Sequence, residues 1–256
     1  MYTMTTAYLP AGAEDSTGTR LLCFHHAGGA ASAFTDWQRR LGPGVTVLPV
    51  QLPGRERRAA EPRFTSVQEL AADLDESLDP LLDKEPFAFY GHSMGAIVAY
   101  HLTLRRAEHG RSLPTRLMVG AYPPPHILAP ITRALDMTDE ELAHWLIDLG
   151  GMSEQLMRYP EWVRAALALL RDDLRVCQSH RVPGAPLPCP IDVFAGESDP
   201  LLPYGAVGGW ARHTSVECEV HAIPGGHFFP QESPAVFFPK LASLLSRRFS
   251  SALPPL

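Results

Sequence analysis

Short apolar runs alternate with helical patterns along the first half of the chain. Four runs have the length and composition of buried strands, at 20–26, 45–52, 87–92 and 116–122. A helical spacing of apolar residues follows Thr65, and the run Thr65-Ser66-Val67-Gln68 predicts a capping box there, with Thr65 as the cap. A second helical pattern covers about 94–109. This alternation predicts a mostly parallel sheet that is covered by helices.

The alternation stops between residues 123 and 189. Thr138-Asp139-Glu140-Glu141 predicts a second capping box, and Gly150-Gly151 predicts the end of the helix that it opens. A longer helical pattern begins at Pro160, and we see no strand pattern in this block. The block therefore reads as an all-helical insertion.

Strand patterns return after the insertion, at 191–197 and 216–223, and an amphipathic helix follows near Ser233. We therefore expect one α/β domain over residues 1–256. Its core occupies about 18–122 and 190–250, and the helical insertion occupies about 123–189.

Composition narrows the class of protein. The 256 residues are 45% hydrophobic and 20% charged, as in ordinary globular proteins, and the net charge of −6 argues against nucleic acid as a partner. The four cysteines have no CxxC spacing, so we expect buried thiols rather than disulfides or a zinc site. No signal peptide or membrane-spanning run is evident, which predicts a cytoplasmic protein without membrane association.

The run Gly91-His92-Ser93-Met94-Gly95 lies between a predicted strand and a predicted helix. Gly-x-Ser-x-Gly in this context is typical of a nucleophile elbow, a strained turn that exposes a serine hydroxyl at a helix N-terminus. The five residues alone are also compatible with a simple Gly-Ser turn. Their context decides in favour of the elbow, because an acid and a base follow in the required places.

The predicted acid and base come after the last two strands. Asp199 follows the strand at 191–197, and His227 follows the strand at 216–223. The order Ser93, Asp199, His227 is that of an α/β-hydrolase triad. In this interpretation His227 takes the proton of Ser93, and Asp199 orients the imidazole.

Other acids and histidines fit less well. Asp192 falls near the start of its strand, at the wrong end of the sheet, and Glu197 is closer to the site but lacks the loop position of Asp199. His221 lies within a strand pattern, where we expect partial exposure, and His213 precedes that strand on the wrong side of the sheet.

The expected oxyanion hole consists of two backbone amides, those of Met94 and, to within one residue, Ala27. Gly28 and Gly29 let the backbone of the second loop approach a ligand closely. The adjacent His25 and His26 lack a third ligand at a convincing spacing. We therefore predict neither a metal nor a cofactor.

Five segments together resemble the type II (editing) thioesterases of polyketide and nonribosomal peptide synthesis, which have the α/β-hydrolase fold. They are CFHHAGGAASAFTDW, QLPGRERR, YGHSMGAIVAY, GESDPLLPYGAVGGW and IPGGHFFP, and they extend from about residue 20 to residue 245. Two departures are His25, where the family usually has proline, and GAYPPPH, where it usually has a Ser-Gly-Arg-type segment.

The resemblance implies a substrate, a partner and a lid. The serine would accept an aberrant acyl group from the phosphopantetheine thioester of an acyl-loaded carrier protein domain, and water would release the acid. Residues 123–189 would form a helical lid, and we expect a monomer. Candidates for an acyl pocket, or simply for lid core, are Trp145, Leu149, Met152, Leu156, Met157 and Trp162. Candidates for a basic docking face, or simply for solvated charge, are Arg55, Arg57, Arg58, Arg105, Arg106 and Arg111.

Two other functions remain open at this stage. One is a carboxylesterase or a product-releasing thioesterase that uses the same triad. The other is a non-catalytic module that only binds carrier proteins.

Overall fold

The computed structural model describes residues 6–9, 18–83, 85–181, 184–202 and 204–247. Six strands within these ranges form one sheet: β1 Thr19–Phe24, β2 Val45–Pro49, β3 Phe87–His92, β4 Leu117–Gly120, β5 Ile191–Gly196 and β6 Cys218–Ile223. Their order is β2-β1-β3-β4-β5-β6, and each neighbouring pair is parallel. The carboxyl ends of the strands therefore meet at one edge of the sheet.

Helices cover both faces of this sheet. The described α-helices are α1 Trp37–Leu41, α2 Val67–Leu82, α3 Met94–Glu108, α4 Asp139–Leu149, α5 Pro160–Gln178, α6 Phe229–Glu232 and α7 Pro234–Ser246. The described 3₁₀ helices are Ala31–Phe34, Glu56–Arg58, Pro130–Asp136, Glu154–Arg158 and Tyr204–His213. None of the helices in the described ranges is both long enough and apolar enough to span a bilayer.

Alternate residues of the strands point to two separate apolar layers. In β1, Leu22 and Phe24 join the layer that contains α2, α3 and α5, whereas Leu21 and Cys23 join the layer that contains α1 and α7. This is the period of two that a strand requires, with both faces covered. Such double burial explains why β1, β3, β4 and β5 read as continuous apolar runs.

The helix boundaries agree with the expected signals with one correction. The N-cap of α2 is Ser66, whose hydroxyl accepts from the amide of Glu69, and not Thr65 as the sequence suggested. The capping box of α4 is present as predicted, with Thr138 and Glu141 exchanging hydrogen bonds. Gly150 ends that helix at a φ of 84°, a left-handed conformation that glycine adopts easily.

The insertion between β4 and β5, residues 123–189, contributes helices and no strand to the sheet among its described residues. Its longest element is α5, which buries Leu167, Leu170 and Leu174 in the same apolar layer as α3. The insertion is therefore packed onto the core through α5.

Most of the arginines proposed as a docking face are engaged within the protein. Arg106 is fully buried between α2 and α3, with Nη1 2.9 Å from both Asp75 Oδ1 and Asp79 Oδ1. Arg55 and Arg58 are also buried. The expectation of an exposed basic face is wrong for these three residues, since each supports internal structure.

Candidate active site

Ser93 occupies the turn between β3 and α3 in a strained backbone conformation. Its φ is 52° and its ψ is −119°, and few residues other than glycine adopt such a positive φ. The Ser93 amide donates to the carbonyl of Gly120 at 2.8 Å, so the end of β4 holds the turn. Strain of this kind, on the order of 1–3 kcal/mol, persists where the surrounding structure enforces it.

The two glycines of the motif allow the turn to form. A Cβ at Gly91 would lie 2.1 Å from the carbonyl oxygen of Gly95, and a Cβ at Gly95 would lie 2.0 Å from the carbonyl oxygen of Phe24. Both contacts are with backbone, which cannot move aside cheaply. The spacing Gly-x-Ser-x-Gly is therefore a steric requirement of this site.

Asp199 and His227 are hydrogen-bonded at the carboxyl edge of the sheet. Asp199 Oδ2 accepts from His227 Nδ1 at 2.9 Å, and Asp199 Oδ1 accepts from the amide of Leu201 at 2.8 Å. Both side chains are buried. Because Nδ1 carries the proton that the carboxylate accepts, Nε2 of His227 is left with its lone pair. His227 and Ser93 line the same cavity.

The rival acid and one rival histidine form a separate pair. His221 Nε2 lies 3.0 Å from Asp192 Oδ1, and Arg116 Nε lies 3.0 Å from Asp192 Oδ2. His221 is buried, so the expectation that it is partly exposed is wrong; it lies on β6 and packs against Phe194 of β5. Asp192, Glu219 and His221 lie close enough together to form a cluster of three potential metal ligands. Arg116 already supplies a positive charge there, which disfavours a metal ion.

Sequence reasoning missed the part that His92 plays. Its Nε2 donates to the backbone carbonyl of His227 at 2.8 Å, because a carbonyl can only accept. Nδ1 of His92 then accepts from the hydroxyl of Tyr90 at 3.0 Å. A histidine between the first glycine and the serine of the motif was the available signal. Tyr90 and His92 thus connect β3 to the loop that carries His227.

Two histidines near the cavity are neutral at pH 7. Burial lowers the pKa of His92 well below its usual range, and the neighbouring His227 and His26 add to this effect. Burial, followed by the charges of His227 and Arg55, lowers the pKa of His26 to about 4. The site therefore contains two uncharged imidazoles, those of His92 and His26, beside His227.

The two amides predicted for the oxyanion hole belong to the first residue of α3 and to a residue that lines the cavity. Met94 is the first residue of α3, so its amide has no partner within the helix. Ala27 lines the cavity, whereas the amide of its neighbour Gly28 donates to Asp173 Oδ2 at 2.8 Å. Of these two adjacent amides, the one at Ala27 is the better candidate.

A cavity of about 320 Å³ opens at Ser93. Core residues supply its floor, and the insertion supplies most of its apolar wall, with Ile131, Trp145, Leu146, Leu149, Met152, Leu156, Ala166 and Leu170. None of the described residues that line it carries a carboxylate, an ammonium or a guanidinium group. Such a cavity suits an uncharged, apolar group.

Four of the six residues proposed for the acyl pocket line this cavity. They are Trp145, Leu149, Met152 and Leu156. Met157 lies instead along a surface groove, and Trp162 is 64% exposed and stacked on Tyr159. The resemblance that suggested all six could not show which of them face the cavity.

Comparison with known proteins agrees with the family resemblance seen in the sequence. The sequence profile described as "Thioesterase domain" matches residues 19–247. The chain is 34% identical over 227 residues to the gramicidin S biosynthesis protein GrsT of Aneurinibacillus migulanus, covering 88% of each chain. It is 37% identical over 217 residues to thioesterase PikA5 of Streptomyces venezuelae, covering 84% of this chain and 76% of that one.

A solved structure is similar over the whole fold. The type II thioesterase BorB from the borrelidin biosynthetic cluster superposes with a TM-score of 0.82 at 33% identity, covering 95% of this chain and 100% of BorB. The predicted α/β-hydrolase fold is confirmed by this agreement together with the parallel sheet. The chain belongs to the thioesterase family, whose members are hydrolases that act on thioesters.

Proposed function

We propose that this thioesterase removes aberrant acyl groups from the phosphopantetheine arms of carrier protein domains in polyketide or nonribosomal peptide synthesis. The names of GrsT and BorB, which refer to biosynthesis of gramicidin S and of borrelidin, support this setting. A cytoplasmic location and a monomeric state remain predictions from the sequence.

One observation carries the proposed chemistry. The strained Ser93 and His227 line a single apolar cavity, and the buried Asp199 holds His227 through a 2.9 Å hydrogen bond. A serine, an imidazole and a buried carboxylate in this relation make a nucleophile, a base and an orienting group. A purely carrier-binding module would need none of the three.

In the first half-reaction, Ser93 Oγ attacks the carbonyl carbon of the thioester while its proton passes to His227 Nε2. The amides of Met94 and Ala27 stabilise the oxyanion that forms. The C–S bond then breaks, and His227 returns the proton to the departing sulfur. The products are the pantetheine thiol and an acyl ester of Ser93.

In the second half-reaction, His227 Nε2 takes a proton from water as its oxygen attacks the ester carbonyl. Collapse of the second tetrahedral intermediate breaks the C–O bond to Ser93, and the proton returns to Oγ. The free acid leaves and the enzyme is restored. Asp199 keeps the His227 tautomer that both steps require.

The cavity supports uncharged acyl groups as substrates. A carboxylate such as that of a malonyl group would have to lose its hydration in a wall that offers no cationic partner among the described lining residues. Acyl groups that have lost this carboxylate, such as acetyl, propionyl or butyryl, meet no such cost. This preference would spare the normal extender groups of a synthase and remove the decarboxylated ones.

All six arginines suggested as a docking face bind groups of the protein itself. Besides the three buried ones, Arg105 and Arg111 pair with Asp75, at 3.4 and 3.0 Å. Arg57 donates to the backbone carbonyls of Ala7 and Leu9. The carrier partner is therefore proposed from the family and the cavity alone.

A hydrolysis panel tests the proposal. Carrier protein loaded with acetyl, propionyl, butyryl, malonyl or a long-chain acyl group is incubated with the enzyme, and matched oxygen esters are assayed beside them. We expect acetyl to butyryl thioesters to react at least about tenfold faster than malonyl, and Ser93→Ala to abolish turnover. Faster turnover of oxygen esters would favour a carboxylesterase, and no labelling of Ser93 by a fluorophosphonate would favour the binding module.

A further inference from the structure

A buried ion pair links the core to the insertion beside the candidate oxyanion loop. Arg55 comes shortly after β2, and Asp173 lies on α5, 118 residues later. Arg55 Nη1 and Nη2 donate to the two carboxylate oxygens of Asp173 at 2.8 and 2.9 Å. Their side chains are only 5% and 3% exposed. This bidentate geometry fixes both side chains in direction as well as distance.

Both members of the pair also hold the loop 26–29. Asp173 Oδ2 accepts from the amide of Gly28 at 2.8 Å, and Arg55 Nη1 donates to the carbonyl of Gly29 at 3.3 Å. Gly28 has a φ of 74°, which is the left-handed region. The pair therefore binds one donor and one acceptor of consecutive residues, next to Ala27.

Helix α5 brings the cavity wall to the same place. Leu170, three residues before Asp173 and on the same side of the helix, lines the cavity. A Cβ at Gly28 would lie 3.5 Å from Leu170 Cδ1, so the helix packs directly on the loop. Helix α5 thus supplies both Leu170, which lines the cavity, and Asp173, whose carboxylate binds the loop 26–29.

A comparison within the molecule argues for a role beyond stability. The pair Arg106–Asp75 is equally buried, but it joins α2 to α3 and touches neither the cavity nor the loop 26–29. A buried pair is weak evidence for stabilisation in itself, because desolvation offsets much of the attraction. What distinguishes Arg55–Asp173 is the engagement of the loop backbone.

We propose that Asp173 and Arg55 are positioning residues of the oxyanion hole. By binding the Gly28 amide and the Gly29 carbonyl, they fix the two peptide groups that flank Gly28 and Gly29, and so hold the adjacent Ala27 amide towards the carbonyl oxygen of the substrate. The oxyanion hole is thereby completed by the insertion. This inference rests on the proposed function, in which Ser93 forms a tetrahedral intermediate.

The experiment compares four variants with the wild type. Asp173→Asn and Arg55→Lys each weaken the grip on the loop, and the double variant Arg55→Met with Asp173→Leu removes both charges without leaving one buried and unpaired. Asp75→Asn disturbs the remote pair and is the matched control. Thermal midpoints identify which variants are folded, and kcat and KM are measured with butyryl-S-pantetheine.

A second measurement reads the oxyanion hole directly. Butylboronic acid forms a tetrahedral anionic adduct with a triad serine, so its affinity depends on the hole. We expect Asp173→Asn, Arg55→Lys and the double variant to lower kcat by about 10- to 100-fold, with KM within about threefold, and to weaken boronate binding by a similar factor. Asp75→Asn should lower the thermal midpoint and leave kcat and boronate affinity unchanged.

Several results would overturn the inference. One is a kcat within twofold of wild type in any folded variant of the pair; another is a double variant that regains wild-type kcat once charge balance is restored. If Asp173→Asn does not fold, Arg55→Lys, which keeps the charge, decides. If wild type binds boronate but does not hydrolyse thioesters, the proposed function fails, and the boronate series still decides the role of the pair.

Discussion

His92 donates a hydrogen bond from Nε2 to the backbone carbonyl of His227 at 2.8 Å. The residue that precedes the nucleophile Ser93 therefore fixes the loop that carries the proposed base, His227. Replacing His92 by Phe keeps a ring of similar shape but leaves that buried carbonyl without its donor. We expect stability to fall by about 1–3 kcal/mol. We expect kcat to fall by about 10- to 100-fold because His227 loses its fixed position. Urea unfolding and steady-state kinetics measure the two effects.

Tyr90→Phe is the matched control for this prediction. It removes the donor to His92 Nδ1 and leaves the bond to His227 in place. Its kcat should stay within about threefold of wild type. Equal losses in the two variants would mean that His92 acts through the packing of β3 and not through His227.

Asp199→Asn should lower kcat by roughly 10²- to 10⁴-fold. The amide can present its NH₂ to His227 Nδ1, which places the proton on Nε2 and prevents that atom from accepting from Ser93. Asp192→Asn is the matched variant, because its carboxylate also pairs with a histidine but lies near the other end of β5. It should lower stability and spare kcat. A severe loss of kcat in Asp192→Asn alone would move the acid to that site.

Gly95→Ala should prevent formation of the elbow. The added Cβ would meet the carbonyl oxygen of Phe24 at 2.0 Å, and relief requires β1 and α3 to separate. We expect a loss of stability above about 3 kcal/mol, or no folded protein. Gly44→Ala, where a Cβ meets nothing within 4 Å, should change stability by less than about 1 kcal/mol. Circular dichroism melts of the two variants make the comparison.

Histidine burial predicts a loss of stability in mild acid. His101 Nε2 lies 2.6 Å from His180 Nδ1, and His180 Nε2 donates to the carbonyl of Pro125. Burial, with a contribution from His180, lowers the pKa of His101 to about 3. The unfolded chain binds this proton near pH 6.5 and the native protein only near pH 3, so stability from His101 is complete above pH 6.5 and decreases as pH falls towards 3.

His101→Phe measures this contribution. Urea midpoints between pH 7.5 and 4.5 should fall less steeply in the variant than in wild type, by up to about 1.4 kcal/mol per pH unit in the free energy of unfolding. Parallel curves for the two proteins would show that His101 titrates normally. His92, whose pKa is also lowered by burial, contributes equally to both proteins and cancels in the difference.

Two tryptophans of the insertion should differ in their effect on acyl-chain preference. Trp145 lines the cavity, whereas Trp162 is exposed. Trp145→Ala enlarges the cavity and should raise kcat/KM for longer acyl groups relative to butyryl, by about 10-fold or more. Trp162→Ala should leave this ratio unchanged. A shift in both variants would place the acyl chain on the outer side of the insertion.

The features that could be predicted are those that depend on the pattern of residues close together in the chain. The apolar runs predicted all six described strands. In β1, β3, β4 and β5 both faces are buried, so few polar residues interrupt the runs, whereas β6 is only partly buried. Asp199 could be placed by chain order, since parallel strands deliver the loops that follow them to one edge. The elbow was evident because its glycines are required by backbone contacts.

The parts that could not be predicted depend on contacts between distant segments. Nothing near Arg55 in the chain indicates a carboxylate 118 residues away, and an arginine in a polar stretch is usually exposed. His221 was expected to be partly exposed because a strand pattern does not show that Asp192 lies beside it on β5. The N-cap of α2 is Ser66 and not Thr65. Both hydroxyls suit the position, and only the backbone conformation determines which of them accepts the hydrogen bond.

Because Asp173 lies on the insertion, exchanging the insertion between related thioesterases also exchanges a residue that contacts the loop 26–29. A chimera that receives a foreign helical insertion acquires a new wall for its pocket, but it also receives whatever residue stands where Asp173 contacts Arg55 and Gly28. If that residue cannot accept both hydrogen bonds, the hybrid would bind its new acyl chain and turn it over slowly. Exchanging the insertion therefore changes acyl-chain specificity and turnover rate together, and a chimera should also carry the residue at position 55 of the protein that donates α5.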